Sequence, residues 1–468
     1  MKAFGNIDKD AIIRAAVSEG ITVTQAVGTE VTMNSGSTTG FAAAFDSNTG
    51  KVVIAFSDGT DGSKGKAIVG TVDPSNNSIS FGSEVVFQNS EITGDQMDCV
   101  FDSNANKVVI FYTDTNNPST DDRTGTAIVG TVSGTSISFG TKAAFESGNT
   151  QFITATFDST NNKAVVFYRD ADNSNYGTAA VGTVSGTNIS FGSPVVFNSA
   201  NTPFLGSSFD SNAGKILVVY KDVGNSNYGN SIVGTVSGTS ISFGSEVTFL
   251  SANGGFYETI FDSSANKHVV LYDNPSDNNY GYARVGTVNG SNNTIAYGPA
   301  TQFTSGRILY TTAVYHAASG KVVLFYRDLA GPNGSNPGYA RVGTVDVNDN
   351  TISFGSPAIT SYMSGSVVEP YEFGPVYLPA DEKILLAYQN RNDGNKGYLA
   401  LGTVSGTSIT FGDGTKYSDN GANQNNAVYD PDQQKAVIIF EQQGGDGRAV
   451  VYSSTSQETQ LTLTDTTV

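Results

Sequence analysis

Short apolar runs separated by Gly, Asn, Asp, Ser and Thr fill this chain, and they return in a fixed order. Residues 152–197 contain FITATFDSTNNKAVVFYRD, then YGTAAVGTVSG, then TNISFGSPVVF. Runs of this length between turn-forming residues predict strands rather than helices. Phe152–Phe157 reads as strand A, Asp158–Asn162 as a turn, Lys163–Tyr168 as strand B, the run after Gly177 as strand C, and Asn188 onward as strand D. Asp, Ser and Asn favour such turns because their side chains bond the local backbone. The connections are too short for parallel crossovers, so the four strands are expected to be antiparallel neighbours. Runs such as AVVFY and VVIFY are apolar on both faces, which requires cover on both sides.

The aromatic residue closing strand A recurs at Phe45, Phe101, Phe157, Phe209, Phe261, Tyr315, Tyr377 and Tyr429, giving eight copies 52 to 62 residues apart. A period of this length carrying four strands predicts an all-β, eight-bladed β-propeller of four-stranded antiparallel blades. The eighth copy has no ISFG-type strand after Ser453, whereas ITVTQAVGTEVTM at residues 21–33 resembles one and precedes the first strand A. The N-terminal strand is therefore expected to complete the last blade and close the ring; the alternative is that QLTLTDTTV near the C-terminus supplies that strand. The expected organisation is an N-terminal attachment segment at 1–20, a propeller at 21–455 and a tail at 456–468. Within the first segment, Asp8 or Asp10 caps a short helix through Ile12, Ile13, Ala16 and Val17. Gly65, Gly125, Gly177, Gly229, Gly281, Gly338 and Gly397 each precede a second recurrent Gly by five residues, which predicts either a positive φ or a close backbone approach.

Composition narrows the possible functions. A formal charge of −18 with only 25 Lys and Arg spread over the copies argues against nucleic acid as a partner. Cys99 is the only cysteine, so the chain forms no internal disulfide and no thiolate metal cluster. No run approaches membrane-spanning length, and the first residues lack a signal-peptide pattern, so neither membrane insertion nor secretion by a leader is expected. No cofactor motif is present, and none is expected.

The turns fall into two classes. The A–B turns (DSNTGK, DSNANK, DSTNNK, DSNAGK, DSSANK) and the C–D turns (SGTS, SGTN) barely change, whereas the D–A and B–C connections differ in length, charge and aromatic content. In a propeller these classes lie on opposite faces, and the varied face is the expected binding face. Phe152, Phe204, Phe256 and Tyr310 share one position five residues before the strand A aromatic, and Tyr257 lies beside it. These rings suit stacking on sugar or packing against a partner protein, with Arg169, Arg327 and Arg307 as polar companions; the competing reading makes the rings wedges between blades. Asp46, Asp102, Asp158, Asp210 and Asp262 read as turn formers. Asp170 and Asp172 begin like a calcium loop but lack its Gly and Glu. The pairs Arg169/Arg327 and Arg284/Arg341 read as ion-pair residues.

Enzymatic motifs are sparse: the two histidines, His268 and His316, lie in different copies, and there is no G-x-S-x-G or H-E-x-x-H. A glycoside hydrolase needs only two carboxylates, and Glu258, Glu369 and Glu372 with Asp98 or Asp95 are the candidates. The sialidase-type Asp-box and any Trp are absent. The expectation is a non-enzymatic protein.

The phrases VGTVSGTSISFG and FDSNANKVVIFY resemble repeats in virion structural proteins, tail fibres or appendages, of marine tailed bacteriophages, over roughly residues 41–452. The resemblance implies a virion protein made in the host cytoplasm, whose partners are other virion proteins and a host surface glycan or receptor. A purely structural spacer is a further alternative.

Overall fold

The computed structural model describes residues 21–117, 122–330, 336–360, 362–363, 366–367 and 370–458. These residues are strand and turn, with short 3-10 turns such as Gly59–Asp61, Pro275–Asp277 and Arg391–Asp393. The expected N-terminal helix and the QLTLTDTTV segment lie outside the described residues.

The third copy illustrates the repeating unit. Lys163–Asp170 pairs antiparallel with residues 150–158 on one side and with Tyr176–Ser185 on the other. Tyr176–Ser185 then pairs with Asn188–Phe191 and Val195–Asn201, which together make strand D. The strands arise where β-branched and aromatic residues alternate, and they end where the turn chemistry takes over. Asp158 Oδ1 accepts the amides of Thr160 and Asn161, each at 2.9 Å. Asp46, Asp102, Asp210 and Asp262 do the same in their own turns. In the C–D turns, Gly134, Gly186, Gly238 and Gly406 have φ between 59 and 61°, a conformation that favours glycine.

The recurrent glycines of strand C answer to a close approach rather than to backbone sign. A Cβ on Gly177 would lie 2.6 Å from the Phe197 ring, and one on Gly182 would lie 2.6 Å from Ile189 Cδ1. Strand D thus lays its Phe and Ile flat on bare backbone, and the same contact recurs at Gly125/Phe145, Gly229/Phe249 and Gly281/Phe303. Adjacent sheets cover each other's apolar faces. Val165, Phe167, Ala179 and Val181 of the third copy form one core with Ile216, Val218 and Tyr220 of the fourth.

Several D–A connections differ from loops, although those carrying Phe204 and Phe256 leave the strand at 202–205 and 251–256. Val85–Asp102, Ala143–Asp158, Thr301–His316 and Thr415–Asp430 are continuous strands that leave one sheet as its D strand and enter the next as its A strand. The long second B–C connection also continues its hairpin, with Asn117 opposite Asp122. Sequence variation at these places is variation within strands.

At the ends of the chain, Ile21–Val27 pairs antiparallel with residues 452–458, and residues 31–37 pair with residues 446–449. The strand Asp446–Glu458 therefore runs three residues past the expected boundary at 455. Gly28 donates to Val451 O at 2.8 Å, as Gly140 donates to Val129 O and Gly192 to Val181 O within their own copies. A Cβ on Gly28 would lie 1.6 Å from Asn77 O in the first copy's C–D turn; Gly140 and Gly192 meet Thr187 O and Thr239 O of the following copies in the same way.

The two turn classes separate by face. Lys435 Nζ, beside an A–B turn, bonds Asp73 O in a C–D turn at 2.6 Å. On the other face, Asn149 N of a D–A connection bonds Asp172 Oδ2 of a B–C loop at 3.0 Å, and Ser37 N bonds Thr60 Oγ1 at 2.7 Å.

Candidate functional site at the axial opening

The A strands lie side by side around the axis. Residues five places before each strand A aromatic are Gly40, Gln96, Phe152, Phe204, Phe256, Tyr310, Glu372 and Gln424, so four consecutive copies contribute rings and the remaining four do not. Gly40, Phe152, Phe204, Tyr310 and Gln424 all have φ between 52 and 59°. For Gly40, Phe152, Tyr310 and Gln424 the cause is a bulge: the A–B register slips between residues 39/41, 151/154, 309/312 and 423/426. A bulky residue in this left-handed conformation costs about 1–2 kcal/mol, and such strain concentrates where a side chain is being aimed. Three of the rings are not buried wedges: strained Phe204 is 41% exposed, strained Tyr310 39%, and Phe256, whose φ is negative, 39%.

Two cations support the rings. Arg169 sits 4.7 Å from the centroid of Phe152, and Lys221 Nζ sits 5.4 Å from that of Phe204. The two rings are 5.9 Å apart, tilted by 50°. Arg169 is held by Gln151 and by Asn201 Oδ1 at 3.3 Å, and Arg341 is held by the carbonyls of Phe303 and Gly355. Amide and carbonyl oxygens thus replace the expected ion pairs at both arginines. Asp273, at the position of Arg169 and Lys221, accepts the amides of Gly255 (2.7 Å) and Phe256 (3.0 Å).

Gln96, Phe152, Phe204, Phe256, Tyr257 and Glu258 contribute to the lining of a cavity of about 560 Å³. A second cavity, about 480 Å³, is lined by Gly40, Phe41, Gly94, Met97, Phe373, Gln424, Asn425 and Asn426. The first sets Phe152, Phe204, Phe256 and Tyr257 among polar side chains such as Gln96 and Thr154; the second sets Gln424, Asn425 and Asn426 beside Phe41 and Phe373. Gln424 Oε1 accepts the Gly40 amide at 2.8 Å, and Gln96 accepts that of Phe152, so the polar members also tie neighbouring copies together.

Not every expected residue reaches this site. Tyr257 borders the cavity but turns its ring edge-on to Phe249, with centroids 5.3 Å apart, and so also serves the packing between the fourth and fifth copies, whereas two of the arginines do not reach it. Arg327 is only 2% exposed and donates to Asn336 O, so it offers no open face to a ligand. Arg307 is exposed, but it lies opposite Tyr280 on the D–A crossing rather than in the cavity wall. Asp170 and Asp172 accept the amides of Asn173 and Asn149 instead of converging on a common point. Lys221 and the left-handed backbone were missed by sequence reasoning. The available signal was that Gly40 shares a position with three Phe and a Tyr, since glycine in that company marks a φ that costs other residues energy.

Two carboxylates occupy the position two residues further along strand A. Asp98 Oδ2 accepts Ala155 N (2.8 Å), its Oδ1 accepts Cys99 N (2.7 Å), and burial pushes its pKa up to about 6. Glu258 Oε1 accepts Ala313 N at 3.1 Å and Thr312 Oγ1 at 3.3 Å, and burial pushes its pKa up to about 7. Glu369 lies outside the described residues, as do the side chains of Asp95 and Glu372. Among the described residues no group of three or more His, Cys, Asp and Glu gathers as a metal site. His268 is fully buried between the fourth and fifth copies, with Nδ1 2.9 Å from Ser208 Oγ and Nε2 3.6 Å from Asp210 Oδ2. Burial lowers its pKa against the pull of Asp210. His316 fixes its own turn through Ser319 and bonds Glu382 O at 2.9 Å.

No protein-family model matches the chain, and no curated protein matches it. Solved structures match over most of its length. Sqt1 of Saccharomyces cerevisiae has a TM-score of 0.56 at 8% identity, covering 93% of this chain and 100% of that one. The BP39L lectin of Burkholderia pseudomallei has a TM-score of 0.54 at 10% identity, covering 82% and 100%. The Dos1 propeller has a TM-score of 0.51 at 13% identity, covering 92% and 95%. At these identities the likeness establishes the fold alone: the chain is a β-propeller.

Proposed function

We propose that this chain is a non-catalytic, eight-bladed propeller that binds carbohydrate at the aromatic half of its axial opening. Closure by the N-terminal strand is supported by the pairing of residues 21–34 with residues 447–458 and by the Gln424–Gly40 bond between the last copy and the first. The observation that carries the binding reading is the row of rings in four consecutive copies, with Phe204, Phe256 and Tyr310 exposed, Phe152, Phe204 and Tyr310 held in strained left-handed backbone, and Phe152 and Phe204 backed by cations. A pyranose presents C–H groups on one face and hydroxyls around its edge, which suits exposed rings with polar side chains such as Gln96 and Thr154 beside them. The virion setting, with a host surface glycan or a neighbouring virion protein as partner, rests on the repeat phrases.

A second reading, a glycoside hydrolase, draws on Glu258, whose pKa near 7 suits a general acid. That chemistry needs a second free carboxylate, and both Asp98 oxygens already accept backbone amides. The test is retention on immobilised glycans together with assay of reducing ends. Retention that is lost in a Phe204→Gly/Phe256→Gly variant, without release of reducing ends, is expected; turnover of a bound glycan would replace this reading with the second. Immunogold labelling of particles tests the setting.

A further inference from the structure

We propose that Glu258 selects the ligand at the aromatic half of the opening and acts there as the neutral acid, donating from Oε2 to an oxygen of an uncharged sugar. The inference rests on the carbohydrate reading and names the group that would set its specificity. Glu258 lines the same cavity as Phe152, Phe204 and Phe256. Its two protein hydrogen bonds both fall on Oε1 and come from the next copy, which fixes the carboxyl plane and leaves Oε2 for the cavity. Asp98 occupies the equivalent place three copies earlier with an amide on each oxygen, so of the two only Glu258 keeps a carboxyl oxygen without a partner among the described residues.

The surroundings favour the neutral form. Across the sheet Glu258 faces Leu271, and the adjoining A strands present Gly206, Ser207, Thr312 and Ala313, none of which is charged. Asp210, Lys267, His268, Asp273, Tyr310 and His316 belong to the same strands or their connections, yet burial is what raises Glu258, opposed only by its two hydrogen bonds. With a pKa of about 7 the group is a donor over the acid half of the physiological range. Once ionised it has no proton to donate, and a ligand that displaces cavity water would desolvate the charge. A neutral sugar is therefore the preferred class, and an ammonium-bearing ligand is the class that would reverse the pH dependence.

The test begins with an array of neutral, anionic and amino oligosaccharides probed with the full chain. Titration calorimetry of the best-retained glycan between pH 5.5 and 8.5 then compares wild type, Glu258→Gln and Phe256→Ala. Glu258→Gln keeps an oxygen for Ala313 and a donor for the cavity, so the fold is retained. Wild-type affinity is expected to be level at acid pH and to fall about tenfold per unit above pH 7, whereas the Gln variant stays level. A level wild-type profile, the same slope in Glu258→Gln, or a preferred amino sugar whose affinity rises with pH overturns the role of Glu258. Phe256→Ala separates the failures: if it abolishes binding while the wild-type profile is level, only the role of Glu258 falls. If it leaves binding intact, or if the wild type retains no glycan, the aromatic site falls as well.

Discussion

The outer strands of this propeller repeat one solution, whereas the inner strands differ from copy to copy. Outside, strand D sets Phe and Ile against bare glycine in strand C, and the glycine after each ISF run abuts the next copy's C–D turn. Inside, one position holds Gly40, Gln96, Phe204 or Gln424, and another holds Asp98 or Glu258. The difference teaches where each burden lies. Stability is supplied by a small contact repeated around the rim, which frees the axial positions to carry strain, charge and exposed rings.

The strongest way to break the comparison is at the rim. Deleting residues 21–34 removes the partners of residues 447–449 and 452–458 and leaves an unpaired strand edge. Loss of a cooperative thermal melt is expected, with aggregation visible on size exclusion; an unchanged melt would show that the rim is not what holds the molecule together. Gly177→Ala, also at the rim, drives a methyl into the Phe197 ring and should cost about 1–3 kcal/mol in a denaturant titration, with binding unchanged in the folded fraction.

Glu258→Gln tests the interior through pH. The folded pKa of Glu258 lies above its unfolded value, so between about pH 4.5 and 7 the native state holds the proton more tightly and stability falls as pH rises. The variant lacks this loss and should gain about 2–3 kcal/mol on wild type at pH 8 relative to pH 4. His268 acts in the opposite sense, because its lowered pKa removes stability as pH falls below its unfolded value near 6.5. Melts of Glu258→Gln across pH should therefore show the acid-side decline more clearly, with a residual fall on raising the pH between about 4 and 6 left by Asp98. The smallest stability effect belongs to Phe204→Gly, where relief of a φ of 58° offsets the lost ring contacts. A change within about 1 kcal/mol is expected, accompanied by loss of ligand; a cost of about 3 kcal/mol or more would mark the ring as core after all.

Much of the rim was legible from sequence because it repeats. The Asp turns, the Gly pairs and the strand D character of residues 21–33 all recur within the chain, so each copy annotates the others. The axis was less legible because its information lies in departures from the repeat. The rings were identifiable by shared position, but the left-handed backbone of Phe152 and Tyr310 depends on a bulge in the pairing with strand B, which no local pattern writes. Arg327 was misjudged for a similar reason: its equivalence to Arg169 is real along the strand, yet burial around it differs. Lys221 was passed over because Lys after an apolar strand reads as surface, and only the geometry places its ammonium against Phe204.

The union of the two ends has a consequence in time. Val27 and Tyr452 are partners separated by more than 400 residues, so Ile21–Val27 leaves the ribosome long before the strand it pairs with. At about 5–20 residues per second that interval is roughly 20–80 s, during which Ile21–Val27 has no sheet to join. The intervening copies pair mainly with their immediate neighbours and need no such delay, so the nascent protein grows as an open arc whose leading edge is sticky. Its Thr and Gln residues, and the brevity of that strand, limit the hazard until the final sheet arrives.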